Sequence, residues 1–153
     1  DSLMVRQTVK WTFVWSMSIA LIFLAIYQFA GVPLLHMMTS DAVVIEASRE
    51  YLPWLLLMPV AGCAAFTWDG IYIGATASRQ MRNSMLWATV AFAALWTVGI
   101  LLLGWLGSSM GSVTYGSPSY GRIAMHILMA AYFAHLLART IYLTASWRSV
   151  RSL

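Results

Sequence analysis

The chain has 153 residues, of which 61% are hydrophobic and 9% charged, with a formal net charge of +4. Soluble domains carry about 25% charged residues, so this composition excludes a globular surface covered by polar groups. The basic residues stand at the ends of apolar runs rather than together on one face, which excludes a nucleic-acid-binding patch and marks them as topology determinants.

No Asp, Glu, Lys or Arg occurs between Lys10 and Asp41, between Glu50 and Asp69, or between Arg82 and Arg122. A spanning helix needs about 20 apolar residues, and each run supplies them or nearly so. Hydrocarbon offers the backbone no hydrogen-bond partner, which leaves helix or closed barrel. These runs are too long and too uniformly apolar for barrel strands, which alternate over about 10 residues. The fold class is therefore all-α integral membrane, with four transmembrane helices.

The first span runs from about Trp11 to Leu35, with Arg6 and Lys10 before it. No signal peptide precedes it, and an opening at Asp1 rather than at Met reads as a piece of a longer polypeptide. Thr39, Ser40 and Asp41 give a cap-like start to a short polar helix, Asp41 to Glu50, that lies at the interface. The second span runs from about Tyr51 to Ala77, with Pro53 in its first turn. Pro59 falls inside it and kinks it, because proline lacks an N–H and clashes with the preceding turn. A tight connection, Ser78 to Asn83, carries Arg79 and Arg82. The third span runs from about Ser84 to Gly107. Ser108 to Tyr120, rich in Ser and Gly and holding Pro118, reads as a flexible loop. The fourth span runs from about Arg122 to Trp147, and Arg148 and Arg151 follow it.

Charge orients the spans. Arg6 and Lys10, Arg79 and Arg82, and Arg148 and Arg151 fall on one side of a four-crossing chain, against Arg49 and Arg122 on the other. The richer side is cytoplasmic. Trp11, Trp15, Tyr51, Trp54, Trp105 and Trp147 stand near span ends, as interfacial aromatics do.

Two ionisable residues lie within spans, Asp69 and Arg139. Either would cost several kcal/mol against lipid, so each is a candidate functional or paired group. Both stand about eight residues before a cytoplasmic span end, about 12 Å deep at 1.5 Å per residue. The expectation is that they share a polar cavity or form a pair; an inert structural salt bridge and a snorkelling Arg139 are the alternatives. Gly70 and Gly74 form a small-xxx-small pair that admits close helix approach, and Pro59 frees a carbonyl that could line a cavity. His36 and His126 stand near the outer ends of different spans, a depth match that a bis-histidine haem would need; His135 is deeper. Cys63 and the ten scattered methionines read as packing. No metal-ligand spacing, nucleophile–base arrangement or phosphate-cradling loop occurs, so no metal, no cofactor and no enzymatic activity are expected.

Three blocks, Tyr51-Leu52-Pro53-Trp54, then Trp68-Asp69-Gly70-Ile71-Tyr72-Ile73-Gly74-Ala75-Thr76, then Met81-Arg82-Asn83-Ser84-Met85-Leu86, resemble the carboxyl-terminal half of multidrug and toxic compound extrusion (MATE) transporters, in the bacterial DinF-type branch. Ala138-Arg139-Thr140 looks like that family's Arg-Gly or Arg-Ala near its end, with Thr after the Arg. The resemblance implies a partial carboxyl-terminal lobe of a twelve-helix transporter. Such a protein would export organic, often cationic, compounds across the bacterial inner membrane by alternating access, in exchange for Na+ or H+. It implies a role for Asp69 in cation coupling or substrate binding. It also implies an amino-terminal lobe, beyond these residues, as partner. Two other readings stand beside it: a four-helix anchor holding b-type haem through His36 and His126, and a non-catalytic assembly protein in which Asp69 and Arg139 lock the bundle.

Overall fold

The structure is a computed structural model that describes residues 2–110 and 115–150, with side chains over 3–109 and 115–147. Its elements are α1 (Ser2–Met38), α2 (Ala42–Arg49), α3 (Leu52–Gly74), α4 (Ser78–Met110) and α5 (Pro118–Val150). All but α2 are long and apolar enough to cross a bilayer. The chain forms two compact units, Asp1–Ala77 with Trp147–Leu153, and Ser78–Ser146.

In the first unit α1 and α3 lie antiparallel. Leu52, which opens α3, comes within 3.3 Å of where a Cβ on Gly31 would stand. At the other end Phe13 meets the Trp68 ring edge-on, centroids 5.1 Å apart. At 1.5 Å per residue α1 is about 55 Å long against a hydrocarbon core of about 30 Å. Arg6, Lys10, Trp11 and Trp15, toward its amino end, are exposed. Helix α1 stops where the polar run Thr39-Ser40-Asp41 begins. The Asp41 side chain then accepts from the Val43 amide at 2.9 Å and caps α2. Helix α3 runs unbroken through Pro59. The proline withholds only its own amide, so the Leu55 carbonyl lacks its usual donor four residues on.

The end of α3 is closed by a complete reciprocal cap. The Ala77 amide donates to the Tyr72 carbonyl and the Thr76 amide to the Ile73 carbonyl, both at 3.0 Å. That pattern puts Thr76 in the left-handed region, φ 53, where a β-branched residue is strained. The turn is complete in three residues. Ser78–Asn83, expected as the connection, instead forms the first turns of α4, since Arg79, Gln80, Met81 and Arg82 are sound helix formers.

In the second unit Gly99 of α4 packs directly against the Ile127 side chain of α5. Ser84 is fully buried and donates to the Met81 carbonyl at 2.7 Å. The expected loop Ser108–Tyr120 is shorter than its composition suggested. Helix α4 continues to Met110 and Pro118 opens α5. Proline is suited to a first helical position because that amide has no partner there anyway, and the Ser117 hydroxyl accepts from the Tyr120 amide at 3.2 Å. Residues 111–114 and Arg151, and the Arg148 side chain, lie outside the described residues.

Two substitutions test this packing. Gly99→Ala sets a methyl against the stiff, branched Ile127 and should lower stability in detergent by about 1–3 kcal/mol, with Ile127→Ala in the same chain restoring part of the loss in a thermal melt. Thr76→Gly removes the left-handed strain and should raise stability by about 1 kcal/mol; a fall would show that the cap does not hold this conformation.

Candidate functional site

Asp69 lies on α3 and is 8% exposed. It shares the buried side of the helix with Ala65 and Tyr72, four before and three after it, and Trp68 beside it is buried as well. Aromatic rings stand on either side of it in sequence. Trp68 packs on Tyr72 at 6.0 Å between centroids, and Trp147 contacts both, at 5.6 and 5.8 Å. Edge contacts predominate in this cluster, the arrangement ring quadrupoles favour. Trp147 therefore serves as a cluster member, whereas Trp11, Trp15 and Trp105 are exposed.

Beside this buried side runs a groove of about 670 Å3 between α1 and α3. Its walls are apolar at Ile19, Phe23, Leu55, Met58 and Phe66, with Thr12, Ser16, Tyr27 and Thr67 as polar points, and among the described residues no charged side chain lines it. The Thr12 hydroxyl donates to the Thr8 carbonyl at 2.9 Å, and Cys63 Sγ lies 3.9 Å from Thr67 Oγ1. Pro59 and Leu55 line it together, so the proline-freed carbonyl belongs to a groove-lining residue. Gly70 lines it as well, and among the described residues no atom comes within 4 Å of a Cβ placed at Gly70 or Gly74. A cavity at the Pro59-freed carbonyl was foreseen from the sequence, but not its wall on α1. Its signal is the four-residue spacing Thr12-Ser16-Ala20 on one helix and Gly62-Phe66-Gly70 on the other, which puts each set on one face.

Arg139 lies on α5 in the second unit, also 8% exposed. Leu136 and Leu143, three before and four after it, are buried on the same side. The Thr140 hydroxyl donates to the Leu136 carbonyl at 2.9 Å, and the His135 ring stacks on Tyr132. Asp69 stands five residues before the end of α3, at Gly74, and Arg139 eleven before the end of α5, at Val150. His36 is on α1 in the first unit and His126 on α5 in the second. Among the described residues no group of three or more His, Cys, Asp or Glu side chains could hold a metal ion.

The family profile MatE matches residues 2–92, more than half of the chain. All three blocks that carried the resemblance fall inside that match. DNA damage-inducible protein F of Escherichia coli (strain K12) is 32% identical over 130 residues, 85% of this chain and 24% of that protein. The chain thus spans about a quarter of the length of the curated relative it matches. No solved structure matches.

Trp68→Ala should lower the stability of the first unit by about 3 kcal/mol or more, measured as a shift in thermal unfolding in detergent. Gly70→Ala, with open space where its methyl would go, should leave the same transition within about 0.5 kcal/mol.

Proposed function

The chain belongs to the MatE family, and from that membership we propose that it forms part of a cation-coupled exporter of organic, chiefly cationic, compounds. The family is one of membrane transporters rather than of enzymes. In this reading the residues make up part of the carboxyl-terminal lobe of a twelve-helix protein in a bacterial inner membrane. The lobe works by alternating access with the amino-terminal lobe, and Na+ or H+ is the coupling ion.

One observation carries the proposal: Asp69 is an almost fully buried carboxylate on a helix long and apolar enough to cross a bilayer. Such groups are expensive in hydrocarbon and mark ion and substrate pathways. A carboxylate alternately shielded and opened to water can take up and release a proton or Na+ as the protein changes state. Exchange of that ion for an organic cation is the coupling step. Arg139, equally buried on another candidate span, is assigned to the same coupling or substrate-binding role. Gly70 and Gly74 leave α3 an open flank along which another helix of the full protein can approach closely. The groove walls of Met58, Phe23 and Phe66 are soft and adaptable, which suits a range of apolar cations.

The test uses the full polypeptide in proteoliposomes loaded with a fluorescent organic cation, under a proton gradient and separately under a Na+ gradient. Asp69→Asn should reduce gradient-driven transport to background with normal expression and an unchanged melting temperature; Asp69→Glu should retain part of it. Arg139→Lys should transport better than Arg139→Ala. Undiminished transport by Asp69→Asn under both gradients overturns the assignment. A lost fold with no transport phenotype would mark Asp69 as a structural group.

A further inference from the structure

Along α5 one strip of positions is polar without a break. Tyr132, His135, Arg139, Tyr142 and Ser146 recur at alternating steps of three and four, which puts all five on one side of the helix. The positions that border the strip, Ala131, Leu136 and Leu143, are buried, so this side is turned into the protein. The opposite side differs. Leu137 and Ile141, two residues either way from Arg139 and so across the helix from it, are exposed at 54% and 67%. On the strip itself Tyr132, His135 and Tyr142 are half-buried, and the Tyr132 and His135 rings stack with centroids 6.4 Å apart. His135 stands 12 residues before Trp147 and 17 after Pro118, the ends of the candidate span, so at 1.5 Å per residue it is about 18 Å from the nearer end. In a hydrocarbon core about 30 Å thick that is close to the middle, too deep for an imidazole to reach either surface. Hydroxyls on the other side, Thr140 and Thr144, bond back to carbonyls of their own helix at 2.9 and 2.7 Å. A tyrosine hydroxyl is held too far out by its ring to do the same and takes its partner from outside the helix.

We propose that this strip is one wall of a water-filled passage in the full polypeptide, with Leu137 and Ile141 turned to lipid. Polar side chains this deep in a span face a bundle interior or a water-filled cavity. Water is the occupant that fits the strip: it both donates and accepts, so it matches hydroxyl, imidazole and guanidinium alike. An apolar helix laid along the same five positions would leave them unmatched, at a cost of several kcal/mol. The half-burial of Tyr132, His135 and Tyr142 between buried neighbours is what the lining of a cavity shows. The proposal requires only that α5 crosses the membrane. Wetting needs no ion gradient, so a failed transport assay with a wet strip counts against the exporter reading alone.

The test places single cysteines by Tyr132→Cys, His135→Cys, Leu137→Cys and Ile141→Cys in the full polypeptide, with Cys63→Ser and any other native cysteines replaced. Each variant is reconstituted in phosphatidylcholine vesicles and exposed on both sides of the membrane to a charged, water-soluble methanethiosulfonate. Because the reactive thiolate forms in water and not in hydrocarbon, positions 132 and 135 should react at least about ten-fold faster than 137 and 141. Equally slow reaction at all four would show that protein packs against the strip and would overturn the proposal. Equally fast reaction at all four would put this part of α5 in open water, with the same consequence, and faster reaction at 137 and 141 would reverse the two sides. Complete reaction of each variant after denaturation confirms that its thiol is intact. Tyr132→Cys, at nearly the same depth, supplies the reading if His135→Cys does not fold.

Discussion

Nothing in a hydrocarbon layer accepts a hydrogen bond, and that one constraint accounts for most of what the chain does. Each long apolar run must satisfy its own backbone, so it becomes helix. Hydroxyls inside those runs face the same demand and meet it locally. Thr8, Thr12, Ser18, Thr89, Thr140, Thr144 and Ser146 each donate to the carbonyl four residues earlier in their own helix. Beside these hydroxyls the buried ionisable side chains of Asp69 and Arg139 stand out, because an ionisable group within an apolar span is costly to hold there.

The helix count and the family were legible because they depend on patterns local in sequence: charge-free runs of sufficient length, and three blocks that all fall within the MatE match. The ends of helices were less so, because apolar content locates the part of a helix that lies in lipid and says little about how far it continues into water. Helix α1 starts at Ser2 rather than near Trp11, and α4 takes in the basic stretch Arg79–Arg82. Pro118 misled by its reputation as a breaker, although a Ser before it marks a helix start as much as a loop.

The candidate site was legible as residue identities and not as surroundings. Asp69 and Arg139 could be singled out because an ionisable group in an apolar run is visible in the sequence itself. The ring cluster of Phe13, Trp68, Tyr72 and Trp147 could not, since it joins positions far apart in the chain. The groove is the intermediate case. Its two walls each follow a four-residue rhythm, but only the antiparallel contact of α1 with α3 brings them face to face. Thr76 was quoted within a motif as one letter among nine, whereas its left-handed backbone is what lets α3 stop within three residues of the start of α4.

The position of Asp69 also bears on how the chain is made. Helix α1 is made before α3 and is free of charge from Trp11 through Ser40, so it partitions into lipid without help. Helix α3 follows with a proline in its middle and a carboxylate in its last third, and partitions less readily. By then its antiparallel neighbour is already in place, offering the Phe13 ring to Trp68 and one wall of a shared groove. The order of synthesis thus matches the order of need: the span that requires a partner in order to enter lipid is translated after the span that can supply one.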